Sequence, residues 1–259
     1  MDSGKSGVSQ VKIFVLLDAP FDFFLAGKHQ GRQLEYSLTR RASVKDIIES
    51  LGIPHTEVGL IRFDGQKIDF SFVPAAPGML QVHAVQAPFN VLSPSMLRPV
   101  PLDCIRFVAD VNVLKLGRLL ILLGFDVACS SSFSDDEIAD IAQAQSRIVL
   151  TRDTLLLKRK KIAFARRIRS NLPYEQVLEV VEFFGLHHLT TFFSRCTVCN
   201  RQLVPVEKND IMHLLEPRTR LYFFDFLQCP QCRKIFWKGS HYDAMENTFS
   251  RLGIFPKKE

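Results

Sequence analysis

The chain has 259 residues, 47% of them apolar, and a net charge of +6. That length and apolar share fit one to three globular domains with real cores and exclude disorder beyond the chain ends. No stretch approaches the ~18 apolar residues of a membrane span, and residues 1–10 lack an apolar signal-peptide core, so the expectation is a cytoplasmic protein with no membrane partner.

In chain order, residues 11–17 form a β-rich run, and residues 34–38 alternate apolar with polar as a half-buried strand does. Ser43 with Asp46 three positions on predicts a helix start. Val44, Ile47, Ile48 and Leu51 then keep helical spacing until Gly52. Residues 58–63 and 80–85 read as further strands, with Asp64-Gly65 turning the chain after the first. Strand, strand, helix, strand, strand suggests a β-grasp fold. His55 reads as a turn or packing residue, with a functional contact as the alternative. Residues 88–101 are proline-rich, lack periodicity and read as a linker.

Residues 105–109 form a short apolar strand that delivers Asp110 to its carboxyl end, where ligands gather in open α/β sheets. Val113, Leu114, Leu116, Leu119, Leu120 and Leu123 give helical spacing, with Lys115 and Arg118 polar, until Gly124. A second strand is expected at 125–128. Ser134 and Glu137 form a capping box for a helix that turns Ile138, Ile141 and Ala142 inward. Residues 147–150 make a third strand, ending at Thr151-Arg152-Asp153. This alternation predicts a parallel sheet with helices on its faces.

Such a sheet carries Asp110 and Asp153 to one edge, and the helix opened by Asp135 and Asp136 starts there too. Carboxylates gathered in this way suit a hard cation. Acids in a first helical turn also stabilise the macrodipole by ~0.3–1 kcal/mol each, a second reading for Asp135, Asp136 and Glu137. From Arg147 to Arg169, nine Lys or Arg accompany one acid, Asp153, a local excess of +8 in 23 residues. The block reads either as a polyanion-binding surface or as a solvated helix face. A helix follows from Pro173, apolar at Val177, Leu178, Val180, Val181 and Phe184.

Cys196, Cys199, Cys229 and Cys232 form two Cys-x-x-Cys pairs with 29 residues between them, the spacing of a structural Zn²⁺ site rather than of disulfides. Strands are expected at 203–206 and 221–227. Arg195, Arg201, Arg233, Lys234 and Lys238 beside Phe236, Trp237 and Tyr242 suit single-stranded RNA, although Phe236 and Trp237 can also fill the core of a ribbon. Four thiolates leave His241 outside the metal shell. Cys104 and Cys129 read as small buried hydrophobes.

Residues 43–72, SVKDIIESLGIPHTEVGLIRFDGQKIDFSF, resemble the ubiquitin-like domain, related to sulfur-carrier β-grasp proteins, that precedes Mut-seven C-terminal RNase domains. Residues 110–126 (DVNVLKLGRLLILLGFD), 134–138 (SDDEI), 149–159 (VLTRDTLLLKR) and 238–242 (KGSHY), with the cysteine pairs, resemble that RNase family itself, a PIN-like fold. The resemblance implies an α/β protein of three domains and a linker: a ubiquitin-like β-grasp (1–90), the linker (91–103), a PIN-like three-layer α/β domain with a parallel sheet (104–188) and a zinc ribbon (189–259). It implies a metal-dependent ribonuclease in which Asp110, Asp135, Asp136 and Asp153 hold Mg²⁺ or Mn²⁺ to activate a water, while the four cysteines hold structural Zn²⁺. RNA is the expected partner, along Lys115, Arg118, Arg152, Lys158, Arg159, Lys160 and Lys161. Sulfur carriers end in a free Gly-Gly. Here the chain runs on through Gln86-Ala87-Pro88, so the first domain is expected to bind a protein partner or act as a scaffold. The alternative is a non-catalytic RNA- or ribosome-binding adaptor whose acids only cap and structure the fold.

Overall fold

The computed structural model describes residues 11–25 and 33–255. Its first unit is a five-stranded sheet of β1 (Val11–Leu17), β2 (Gln33–Leu38), β3 (Val58–Phe63), β4 (Gln66–Lys67) and β5 (Gly78–Ala84), in the order β2-β1-β5-β3-β4. The central β1–β5 pair is parallel and its neighbours are antiparallel, the β-grasp arrangement. Side chains alternate along β1, so Ile13, Val15 and Leu17 enter the core while Phe14 and Leu16 face outward. Helix α1 (Val44–Ser50) covers the sheet with Val44, Ile47 and Ile48. Its capping box is present as expected: Ser43 Oγ accepts from Asp46 N, and the Asp46 carboxylate accepts from Ser43 N, a cap that contributes ~1 kcal/mol. Gly52 then turns the chain at φ +102°, where a Cβ would lie 2.6 Å from the Phe24 carbonyl oxygen.

The second unit is a four-stranded, wholly parallel sheet of β6 (Arg106–Ala109), β7 (Asp126–Cys129), β8 (Ile148–Thr151) and β9 (Ala165–Arg167), in the order β7-β6-β8-β9. Alternation decides the layers. Phe107, Ala109, Ile148 and Leu150 face α2 (Leu114–Leu122) and α4 (Pro173–Phe184), whereas Val108 and Val149 face α3 (Asp135–Ala144). Each such fully buried large side chain contributes ~1.5–3 kcal/mol, and this double coverage makes the strands apolar on both faces.

The third unit is an antiparallel sheet of β10 (Val204–Val206), β11 (Phe226–Gln228) and β12 (Ile235–Trp237), with α5 (Lys208–Ile211), α6 (Pro217–Tyr222) and α7 (Ser240–Arg251). The strand expected at 221–227 is corrected here. Pro217 opens helix α6, which runs through Tyr222, and only Phe226 onward is a strand. Helix α7 returns to the second unit, where Phe249 is fully buried against Tyr174 and Phe192 at ring distances of 5.5 and 5.7 Å. Cys104 is exposed, contrary to expectation, whereas Cys129 packs partly buried against the main core.

Residues 91–103 contain no helix or strand, yet Val91 and Leu97 are buried and Arg98, 5% exposed, clamps the first two units together. Its guanidinium donates to the Val58, Thr56 and Ala163 carbonyls at 2.9, 2.8 and 3.1 Å and lies over the Phe89 ring at 5.3 Å. Glu57 adds an ionic contact across the same seam, accepting from Arg167 N at 2.9 Å and Arg166 Nη1 at 3.2 Å. His55 is the packing residue expected: its Nε2 lies 2.9 Å from the Ile162 carbonyl and its Nδ1 2.7 Å from Glu49 Oε1.

Candidate functional site

Asp110 directly follows β6, and Thr151 ends the neighbouring strand β8, so both stand at the carboxyl edge of the parallel sheet. There Asp110, 4% exposed, is held from three sides. Val111 N donates to its Oδ1 at 2.6 Å, and Asn112 Nδ2 and Thr151 Oγ1 donate to its Oδ2 at 2.5 and 2.6 Å. Since the Thr151 hydroxyl proton goes to Asp110, its oxygen is free to accept the Asp153 N–H at 2.9 Å. Thr151 therefore links the two aspartates. Asn112 closes the ring of contacts by accepting Arg152 N at 3.0 Å, and Asp153 Oδ1 accepts Leu155 N at 2.7 Å. Asn112 and Thr151 were not singled out in the sequence. Their signal was position alone, one in the turn after a strand and one at a strand's last residue.

Asp135 and Asp136 occupy the first turn of α3, behind a capping box in which Ser134 and Glu137 exchange hydrogen bonds. The Ser134 backbone N–H and hydroxyl, both donating to the Glu137 carboxylate, hold its pKa below the ordinary value. Arg159 pairs with Asp136 and lies 3.8 Å from Asp135. The aspartates thus fall into two pairs, Asp110 with Asp153 around Thr151 and Asp135 with Asp136 on Arg159.

The basic block is engaged inside the molecule. Arg147 binds Asp126, Arg152 Nη2 donates to Asn171 Oδ1 at 2.8 Å, Lys158 Nζ donates to the Glu49 carbonyl at 2.7 Å, and Lys161 pairs with Asp140. Arg166 bridges Glu57 and Glu179, Arg167 stacks on Phe23 at 4.3 Å, and Arg169 lies 3.6 Å from Glu57. Only Lys160 of the block makes no such contact among the described residues. Lys115 and Arg118, on α2, are exposed.

The cysteines converge as the spacing predicts. All four sulfurs lie within 4.8 Å of one another, with Cys196–Cys232 at 3.6 Å and Cys199–Cys229 at 3.3 Å. Four thiolates ~2.3 Å from a tetrahedral Zn²⁺ stand about 3.8 Å apart, so the donor set fits that ion. Both knuckles repeat one backbone pattern. Cys196 N donates to the Arg201 carbonyl at 2.8 Å and Cys229 N to that of Lys234 at 3.0 Å, with Asn200 and Arg233 each at φ 61°. Burial opposes ionisation of Cys229, but the Cys232 N–H that it accepts and the neighbouring thiols bring it down to about 6, while burial and the Cys229 sulfur push Cys199 up to about 12, so the two sulfurs share a proton that a bound metal would displace. Among the described residues no other three His, Cys, Asp or Glu side chains bring their ligand atoms so close.

The ribbon is fastened to the parallel sheet. Asn200 Nδ2 donates to Asp126 Oδ1 at 2.9 Å and Arg195 Nε to the Gly124 carbonyl at 2.9 Å, so Arg195 serves the joint. Phe236 is buried beside Cys196 and Cys229, whereas Trp237 remains 37% exposed.

The family model described as Mut7-C RNAse domain matches residues 105–249, and the one described as Mut7-C ubiquitin matches residues 10–90. No curated protein and no solved structure matches the chain. With its α/β sheet, cysteine cluster and preceding β-grasp all within the matched segments, the chain belongs to the Mut7-C RNAse domain family.

Proposed function

We propose that the chain is a divalent-metal-dependent ribonuclease whose reaction centre is Asp110 and Asp153. The observation that carries this is that Thr151 donates its hydroxyl to the Asp110 carboxylate and accepts the Asp153 backbone N–H, tying two aspartates to one hydroxyl at the carboxyl edge of a sheet, in a segment matched as an RNAse domain. Mg²⁺ and Mn²⁺ take oxygen donors, and Mg²⁺ is typically held by one or two carboxylates with waters and substrate phosphates, the donor type that Asp110 and Asp153 would supply. When bound, the cation would lower the pKa of a water and offset charge on the phosphate. The chain's own part is positional. Asn112 and Thr151 fix the Asp110 carboxylate, and the Asp153 backbone is tied to the same hydroxyl. Asp135 and Asp136 are assigned to their pair with Arg159. Lys115 and Arg118 are the phosphate-holding cations in this reading, and such contacts position RNA without reading its sequence.

The test is cleavage of a labelled RNA by the zinc-loaded protein with Mn²⁺ or Mg²⁺. Asp110→Asn and Asp153→Asn should each reduce turnover by about 10²–10³, while leaving RNA affinity intact. Metal-independent cleavage, or full turnover in both variants, refutes the assignment. A protein that binds RNA and cuts none of a range of substrates is instead the adaptor.

A further inference from the structure

An open groove of about 840 Å³ lies between α2, the start of α4 and the face formed by the ribbon and α7. Its walls are aromatic, with Tyr174, Phe193, Phe223, Trp237 and Tyr242 among the lining residues. Gly239 leaves room for the Trp237 ring, since a Cβ there would stand 3.1 Å from its Nε1. The charged lining is Lys115, Arg118 and Lys234, and no Asp or Glu takes part in it. Lys115 and Arg118 are exposed neighbours one turn apart on α2, and neither makes a hydrogen bond or ion pair among the described residues.

Two of its walls start within a few residues of the proposed reaction centre. Lys115, in the first turn of α2, stands five positions after Asp110. Pro173 stands two positions after Asn171, whose side chain accepts the Arg152 guanidinium. A strand lying in the groove would therefore lead to Asp110 and Asp153. The chemistry selects the occupant. Free cations along one wall match a phosphate backbone, and the exposed ring of Trp237, with Tyr174, Phe193 and Phe223 partly exposed in the same lining, matches bases whose own faces are uncovered, as they are in single strands and not within a duplex.

We propose that this groove binds unpaired bases of single-stranded RNA and directs the strand to the Asp110–Asp153 edge. The choice of RNA rests on the ribonuclease reading above. Trp237 is the single tryptophan of the chain, so in the zinc-loaded protein the tryptophan emission comes from the groove lining. The full-length, zinc-loaded protein, with no other divalent cation, is titrated with a short oligouridine and with an RNA duplex.

The single strand should quench Trp237 saturably and the duplex should not. The Lys115→Glu, Arg118→Glu double variant, altered only at exposed positions, should bind the single strand at least about tenfold more weakly. It should also lower the slope of log affinity against log salt by ~1.4, for two lost phosphate contacts. Binding without quenching, equal quenching by duplex, or an unaltered double variant overturns the groove as the base-binding site. So does quenching by an acidic peptide but not by RNA. The two readings fail separately: quenching without cleavage in Mn²⁺ leaves the groove and removes the nuclease, and cleavage without quenching does the reverse.

Discussion

Glu57→Gln tests how firmly the β-grasp unit is fixed to the nuclease-like sheet. The Glu57 side chain is 5% exposed and receives Arg167 N at 2.9 Å and Arg166 Nη1 at 3.2 Å, with Arg169 Nη2 at 3.6 Å. Glutamine keeps the volume and one acceptor oxygen, but sets an amide donor where the second oxygen faced a guanidinium. Removing one partner of a buried pair costs ~3–5 kcal/mol when the other is left alone. Arg166 is not left alone, because Glu179 Oε1 still accepts its Nη2 at 3.0 Å. The loss is therefore nearer that of one charge-assisted hydrogen bond, about 1.5–3 kcal/mol. At ~2–4 °C per kcal/mol for a chain of this size, Tm should fall by about 3–12 °C. Calorimetry of the zinc-loaded protein measures it, with Glu35→Gln as the control. Glu35 pairs with Lys12 at 2.7 Å on the open surface, where such pairs contribute little, so the same charge change there should not move Tm resolvably. Equal shifts in the two variants would refute the reasoning, since net charge and not the buried contact would then be the cause.

Removing the ribbon's metal should unfold that unit selectively. Thiol modification or a strong chelator should release stoichiometric Zn²⁺ and shift Trp237 emission to the red, because β12 carries Trp237 five residues beyond Cys232; unchanged emission on metal release would count against a structural site. Asp126 gives a pH dependence. Burial opposes its ionisation, but the Arg147 guanidinium and the Asn200 amide outweigh this and hold its pKa below the ordinary carboxylate value. A depressed acid stabilises the fold fully above its unfolded pKa of ~3.9 and loses that contribution as pH falls through the folded value. Asp126→Asn should therefore cost about 1–2 kcal/mol near neutrality, with the gap to the wild type closing below about pH 4. A gap that stays constant in urea titrations across that range would show that the charge is not the stabilising feature.

Elements whose signals are local were legible in the sequence. The Ser43–Asp46 and Ser134–Glu137 boxes fix their helix starts through neighbours three residues away, and β6 and β8 are apolar because both faces of the sheet are covered. The cysteine cluster was legible because a tetrahedral ion demands its spacing. Helix α6 was not, since its C-terminal Leu221 and Tyr222 run into an aromatic stretch that mimics a strand. Helix α7 was hidden for a different reason. It has no side-chain cap, and only Tyr242 and Phe249 are buried, so little periodicity marks it.

The basic block shows what a running charge count omits. Counted between Arg147 and Arg169, it has one acid, yet Glu57, Asp126, Asp135, Asp136, Asp140 and Glu179 all bind it from outside that window. Much of its charge is spent on joining the β-grasp unit and α3 to the sheet, so the local excess of +8 overstates the field offered to a polyanion. Lys115 and Arg118, outside the block and isolated among apolar residues of α2, keep their charges unpaired among the described residues in the lining of the groove. Coulomb attraction to a phosphate acts through unpaired charge, and a paired guanidinium must first surrender its carboxylate. The cations that best serve a nucleic acid here are therefore two that composition did not emphasise, and the conspicuous ones are joints of the fold.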